Sequence, residues 1–549
     1  MTTPYRDILH QLREAFPQPV SNRVHDAYFV FSFLRSLDQV DAMKSDRPLL
    51  GQPEELDYDS AMQSTMADLP ESLEAVTSQL VEYLSGLFIW GHPRSQINVV
   101  PSPTIPSIIG GMLPSIYNPN LVSDESARKI AVAEIEAIAM TANLLGYDAA
   151  RSGGVFTFGG TGTLLYAVKI GLEKACPGTQ RTGVSERAVI LCSDHAHYAC
   201  TTVANWLGLG EDNVIRIPTT EDNALRPCLL ESHLRDVLKS GGKVAAVVAT
   251  MGTTDAFGID DLEQIREIVD RLADEHALEY RPHIHADAVI GWAWSVFNDY
   301  DFENNPLGFR ARTIRALAHS TRRIRQIPLA DSVGIDYHKT GFCPYISSAF
   351  ILKDRADLKL ISRPDETMPY LFQSGEYHPG KFTLETTRSG SGPLAALANL
   401  RLFGRQGLQS LLGHLVTMAE TLREHLESHA ATTVLNRENF GPVTLFRVYP
   451  ESVDTFTVPK RERTDPAFRD ELRKHNEYNR RIFARIQAEA LQGRGVVISL
   501  TDCYRESEYG EPIVALKSYI LSPFSDAEYV DAVLQSLWDA RREIDDELS

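Results

Sequence analysis

Cysteine is scarce in this chain: six stand among 549 residues, at 176, 192, 200, 228, 343 and 503, with no C-x-x-C pair. That spacing argues against a zinc ribbon or a disulfide framework and reads as reduced thiols. Long apolar runs are missing too. The longest, Val244 to Ala249, has strand length and falls far short of the ~18 apolar residues a membrane-spanning helix needs. Met1 to Gln11 carries Arg6 but no apolar h-region, so the sequence predicts no secretory signal and a cytoplasmic protein. Positive charge is in deficit. With 54 Lys and Arg against 73 Asp and Glu, the net charge of −19 opposes a nucleic-acid partner, whose binding depends on neutralised phosphates.

What remains has globular composition, 43% apolar and 23% charged, in a chain too long for one ordinary core. Three regions are expected: a helical and extended N-terminal segment (1–120), a large α/β domain (121–399) and a smaller α+β lobe (400–549). Leu73, Val76, Leu80, Tyr83 and Leu84 recur at helical intervals, and Gly91 to Pro119 is proline-rich, which predicts an extended, turning passage. Short β-branched runs follow at 155–158, 188–192, 214–217, 244–250, 283–288 and 348–352, separated by helical stretches. That alternation predicts a mostly parallel sheet, whose ligands gather beyond the carboxyl ends of the strands. The charged run at 456–480 reads as a solvated loop leading into an amphipathic helix.

Four segments carry candidate chemistry. Phe158-Gly159-Gly160-Thr161-Gly162-Thr163 follows a strand and opens a helix, where glycines and free amides suit an anion. Ser193-Asp194-His195-Ala196-His197 places histidines after the next strand. His283, His285 and Asp287 alternate along one face of a strand and could ligate a metal, or Asp287 alone could pair with a buried ring nitrogen. Asp331-Ser332, then Asp336-Tyr337-His338-Lys339, sets a lysine beside a histidine, where desolvation would lower its pKa as a Schiff-base amine requires.

The order of these words resembles the group II pyridoxal-phosphate-dependent amino-acid decarboxylases, the family of the glutamate, aromatic amino-acid and bacterial tyrosine enzymes. Ala249-Thr250-Met251-Gly252-Thr253-Thr254 with Asp260, and His285-Ala286-Asp287-Ala288, complete the match, which runs from about His92-Pro93 to about Gly407. The resemblance implies fold type I: an α/β architecture with a helical N-terminal segment and a small C-terminal lobe. It implies pyridoxal 5'-phosphate as cofactor, decarboxylation of an L-amino acid, and a homodimer. Lys339 would carry the cofactor through its amine. Gly162, Thr163 and His338 would hold the phosphate, His197 would stack on the ring, and Asp287 would pair with the ring nitrogen. Thr254, Val289 and Ser332 would also border the cofactor. Arg388 is the best local match to the family's carboxylate-binding arginine, although a structural ion pair would look the same in sequence. Asn98, Val99 and Ser102 would border the substrate, and the loop from Ser362 to Lys381, with Tyr370, Tyr377 and His378, would supply a proton donor, Tyr377 being favoured.

Departures from the family pattern are local. Val289 and Trp292 stand where smaller residues are usual, Thr340 follows the lysine, and 52 positions separate Asp287 from Lys339. The extra stretch holds Arg310, Arg312, Arg315, Arg322, Arg323 and Arg325 and reads as a surface insertion. Val99 and Val100 favour an apolar substrate side chain, because an unpaired buried carboxylate is costly. The competing readings are oxidative decarboxylation to an aldehyde, an acidic amino-acid decarboxylase, a carbon–carbon lyase, a catalytically silent scaffold-like relative, and a metal-dependent hydrolase built on His283, His285 and Asp287.

Overall fold

Strands β2 (Gly153–Thr157), β3 (Ala188–Ser193), β4 (Val214–Ile217), β5 (Lys243–Thr250), β6 (His283–Asp287), β7 (Ser332–Asp336) and β8 (Ser348–Leu352) form one seven-stranded sheet in a computed structural model. The structure describes residues 4–364, 367–368, 371–451 and 453–548. The strand order is β2-β8-β7-β6-β5-β3-β4, and β8 alone runs against the others. In β5 every residue after Lys243 is buried, as expected for a strand covered on both faces. The strand missing from the sequence reading is β7, Ser-Val-Gly-Ile-Asp, whose polar ends and central glycine break the apolar run. Gly334 is there for space: a Cβ would lie 2.3 Å from Thr163 Oγ1.

The helix Gly160–Ala175 lies across this sheet at very short range. A Cβ on Gly171 would stand 2.0 Å from the Ala245 carbonyl oxygen and 2.9 Å from the His283 Cβ. Its first turn is thereby fixed over the carboxyl ends of β6 and β7. Gly159, at φ 111°, makes the reversal out of β2 that a side chain would resist.

A second sheet, in the order β1-β11-β12-β10-β9, joins β1 (Ser95–Gln96) to β11 (Val497–Glu506), β12 (Pro512–Tyr519), β10 (Val443–Val448) and β9 (Thr432–Val434). Because β1 pairs in parallel with β11, the proline-rich passage is sewn into the C-terminal sheet. That passage is not extended throughout. Ile105–Tyr117 is a helix, capped by the Thr104 side chain, with Pro106 in the first turn where no amide donor is needed. Its crossing with the helix Ser391–Ser428 is so close that a Cβ on Gly110 would meet the Leu394 carbonyl oxygen at 2.8 Å. The long helix runs through position 400, and its break comes at Gly404 (φ 53°, ψ −166°).

The two charged stretches are built in. Arg310 and Arg312, at the start of the helix Ala311–Ile324, pair with Glu420, Glu424 and Glu427 of the long helix, and Arg323 pairs with Asp222. The 456–480 run is no solvated loop: Val458–Thr464 is helical, and its buried Glu462 accepts from Arg447 at 3.1 Å and Tyr449 at 2.8 Å. The helices Pro4–Arg13 and Arg23–Ala42 bury no residue and expose Leu12, Phe29, Phe31, Phe33 and Leu37. Among the described residues no helix is long and apolar enough to cross a membrane.

The close seat of the Gly160–Ala175 helix gives a stability prediction of unusual sign. An unhindered helical glycine gains about 1 kcal/mol when changed to alanine. Gly171→Ala is instead expected to lower the unfolding free energy by about 1–3 kcal/mol through overpacking against β5, measured by urea denaturation.

Candidate active site

The carboxyl ends of the parallel strands deliver the reactive side chains to one edge of the large sheet. Asp336 ends β7, Asp287 ends β6, and Ser193 ends β3 ahead of His197. Lys339 lies one turn beyond Asp336, with its ammonium Nζ 2.9 Å from Asp336 Oδ2. The Asp336 carboxylate is fully committed. It accepts from the Ser348 hydroxyl at 2.6 Å, and His338 Nε2 stands 3.6 Å away. Burial alone would raise its pKa, but Lys339, His338 and Ser348 outweigh burial and hold it below the usual carboxylate range. Lys339 moves the opposite way from the sequence expectation. Burial opposes its charge, yet the carboxylates of Asp336 and Asp287 prevail and raise its pKa above the ordinary lysine value.

Asp287 is the reverse case. It is buried, its Oδ1 has no hydrogen-bond partner, and burial pushes its pKa up to about 6 although Lys339 works against that shift. His197 accepts from the Ala199 amide through Nδ1 at 3.1 Å. Burial and then Lys339 push its pKa down to about 4, so the imidazole is neutral near pH 7. The first turn of the Gly160 helix closes the group. A Cβ on Gly160 would meet Val289 Cγ1 at 3.0 Å and Asp336 Oδ2 at 3.1 Å.

These residues fit pyridoxal phosphate. A buried carboxylate oxygen without a partner suits a protonated ring nitrogen, and a neutral imidazole suits a ring face. The amides of a helix N-terminus suit a phosphate, and an amine is held within the same group. His338 is fixed through Nδ1, 3.1 Å from the Ser347 carbonyl oxygen, and its ring packs on Tyr345 at 4.4 Å. The Thr163 hydroxyl donates to the Gly160 carbonyl at 2.7 Å and so tightens the turn.

Other expected residues lie elsewhere. Ser332 is fully buried under the Gly160 helix, with its hydroxyl between His283 Nε2 at 2.7 Å and His285 Nδ1 at 2.8 Å. Ser332 opens β7 at its amino end, and its hydroxyl meets the two histidines of β6. These bonds and Lys174 engage both ring nitrogens of His283 and Nδ1 of His285, and among the described residues no three His, Cys, Asp or Glu stand placed for a metal ion. The Arg388 guanidinium is held within the protein, with only its Nε unpartnered. Its fork is closed on Glu134, and its remaining terminal donors reach the carbonyls of Leu121 at 2.9 Å and Phe156 at 3.1 Å. Tyr377 packs beside Leu121 and Ala127, and lines a cavity with Arg151, Ser152 and Gly153 at the amino end of β2, the opposite edge from Lys339. Tyr370 lies outside the described residues. Val99 is buried in the large core, Ser102 packs against Gly91, and Asn98 is exposed with its amide donating to Ser499 Oγ at 3.3 Å.

A cavity of about 660 Å³ opens beside His197 and Thr254, lined also by Asp194, Arg216, Asp255 and Arg505. Asp255 holds Lys517 of β12 at 2.7 Å and so ties the two sheets together at this mouth. Sequence reasoning missed Arg505, Lys517 and the engagement of Asp336. The first two come from strands some 300 residues from His197 and carry no local motif, whereas Asp336 stood in the quoted word without an assigned role.

The sequence matches the pyridoxal-dependent decarboxylase conserved domain over residues 54–448. It is 26% identical over 377 residues to an L-2,4-diaminobutyrate decarboxylase of Acinetobacter baumannii, covering 66% of this chain and 68% of that protein. It is 24% identical over 367 residues to the acidic amino acid decarboxylase GADL1 of Bos taurus, covering 65% and 64%. The fold superposes on a Catharanthus roseus tryptophan decarboxylase in complex with L-tryptophan with a TM-score of 0.73 at 17% identity, over 96% of this chain and 100% of that one. The matched domain takes in every strand of the large sheet together with Lys339, Asp287 and His197, and on that ground the chain belongs to the pyridoxal-dependent decarboxylases, as an amino-acid decarboxylase that uses pyridoxal 5'-phosphate.

Proposed function

We propose that Lys339 carries the cofactor, that Asp287 faces its ring nitrogen and that His197 covers one face of the ring. The observation that carries this reading is the unpartnered Asp287 Oδ1, buried close enough to Lys339 for the two charges to shift one another. Bound there, pyridoxal phosphate supplies an electron sink for the bond broken as CO2 leaves. The chain supplies the rest. Asp336 keeps the Lys339 amine in place and holds its proton. The amides of Gly160 to Gly162 face the phosphate, and Val289 packs against the same turn. Arg388, whose Nε is likewise unpartnered, is paired with Glu134, whereas Arg505 lines the cavity beside His197 and has an unpartnered Nε. It is suited to the substrate carboxylate.

The substrate we favour carries an apolar side chain. A second cavity of about 670 Å³ adjoins the Lys339 turn at Tyr345, with Ile108, Met112, Phe156, Phe158 and Ile346 among its walls. These walls gain from apolar contact; Glu385 and Arg388 also line the cavity, and Arg388 is already paired with Glu134. Asp194 and Glu506 beside His197 favour a second reading, a cationic side chain like that in the name of the diaminobutyrate enzymes.

The deciding assay gives the holoenzyme single amino acids and measures CO2, amine, aldehyde and peroxide. Tyrosine, phenylalanine and leucine should yield amine and CO2 in equal amounts, and Lys339→Ala should abolish both. Turnover confined to 2,4-diaminobutyrate would select the cationic reading, aspartate or glutamate the acidic one, and aldehyde with peroxide the oxidative one. Asp336→Asn should lower the pKa of Lys339, since it removes the carboxylate that stabilises the ammonium. The rate at which the apoprotein captures pyridoxal phosphate covalently should then reach its plateau at lower pH than in the wild type.

The exposed apolar faces of the two N-terminal helices support a homodimer, which should elute at twice the 61.2 kDa chain mass in light-scattering chromatography. Six unpaired cysteines, four of them buried, support a reducing compartment such as the cytoplasm.

A further inference from the structure

The strand motif His283-Ile284-His285-Ala286-Asp287 suggests metal ligation, yet its histidines are tied into a different device. Beneath the Gly160 helix, Lys174 Nζ lies 2.5 Å from Asp357 Oδ2 and 3.4 Å from His283 Nδ1. His283 Nε2 lies 2.7 Å from Ser332 Oγ, and Ser332 Oγ lies 2.8 Å from His285 Nδ1. An ammonium can only donate, so His283 Nδ1 accepts and its Nε2 carries the hydrogen. Ser332 then accepts from His283 and spends its single hydrogen on His285 Nδ1. That leaves the hydrogen of His285 on Nε2, and Nε2 is buried without a partner.

The position of this Nε2 is set by Gly334. It stands 3.1 Å from where a Cβ of Gly334 would be, and Gly334 is the cross-strand partner of Asp287. Partner residues on parallel strands point to the same face. His285 therefore leans from its own level on β6 toward the level of Asp287, whose Oδ1 is the buried acceptor left without a donor. Thr163, the other side chain over Gly334, already donates its hydroxyl hydrogen to the Gly160 carbonyl.

We propose that Lys174, His283, Ser332 and His285 form a one-directional hydrogen-bond chain that presents an N–H toward Asp287 and so keeps that carboxylate oriented and ionised for the cofactor's ring nitrogen. The four are positioning residues, acting through Asp287. The chain explains why two neutral histidines and a serine occupy a face where apolar residues would pack more cheaply. It also explains the glycine at 334, since any side chain there would displace His285 or Thr163. The proposal rests on Asp287 facing the ring nitrogen, and its test separates the two.

Apoprotein is titrated with pyridoxal phosphate and with its 1-deaza analogue, in which CH replaces the ring nitrogen, and the two dissociation constants are compared. Ser332→Ala should weaken pyridoxal phosphate about tenfold and leave the deaza analogue within about twofold of wild type. Ser332→Thr, which keeps the hydroxyl, should restore the preference. Asp287→Asn should show the same selective loss. Equal loss for both ligands in Ser332→Ala, or no loss, would overturn the chain while Asp287→Asn remained selective. An unselective Asp287→Asn would overturn the placement of Asp287 and the chain with it. If Ser332→Ala does not fold, Lys174→Met at the partly exposed end removes the donor that orders the chain. A smaller loss with the same selectivity then supports the proposal, and an unselective one overturns it.

Discussion

The ion pair between Lys339 and Asp336 is the constraint around which the site is arranged. A carboxylate at 1% exposure survives burial only when every lone pair is answered, and Asp336 is answered by an ammonium, a hydroxyl and an imidazole. Each partner is held from a different direction: Lys339 by the turn after β7, Ser348 by the antiparallel β8, His338 by Ser347. Reversal of β8 within a parallel sheet thus has a local use. It brings the amino end of β8, with Ser347 and Ser348, back to the edge where the parallel strands end.

Close approach of backbone to sheet is the second constraint, and it depends on glycine at particular places. Gly171 lets the Gly160 helix rest on β5, Gly334 leaves room for Thr163 and His285, and Gly160 brings the first turn against Val289 and Asp336. The first fixes the helix in translation, and the third sets its first turn against Asp336, the partner of Lys339. A shift of one ångström in the helix would move the free amides away from the amine, so packing at Gly171 and chemistry at Lys339 belong to one mechanical unit.

The sequence showed the parts whose signals are local. Six of the seven strands of the large sheet stood out as β-branched runs, and the order of glycine turn, histidine, aspartate and lysine pointed to the cofactor because each follows its own strand. β7 escaped because glycine and terminal polar residues serve its neighbours, Thr163 and the two histidines, at the expense of its own hydrophobic signal. Arg388 misled for a related reason. The glutamate that neutralises it lies 254 positions earlier, on the helix Lys129–Leu145, and nothing around residue 388 announces that pairing. Tyr377 sits in a loop whose composition says that it turns, without saying which edge of the sheet it turns toward. The proline-rich segment was misjudged in part because Pro106 falls in a helical first turn, where proline costs nothing.

Two carboxylates near one lysine behave in opposite ways, and the difference shows what the protein alone leaves incomplete. Asp336 has three partners and is held below the usual carboxylate range; Asp287 has an unpartnered oxygen and rises to about 6. Lys339 can neutralise one of them well and has been placed against Asp336. A second buried negative charge of this kind is tolerated only where a cation or a strong donor will meet it. The chain proposed from Lys174 to His285 would bring a donor toward one side of Asp287 and no formal charge, and the proposed ring nitrogen would meet the other side. On the proposed placement of the cofactor, the order of donors under the helix and the deficit at Asp287 are two halves of one electrostatic arrangement.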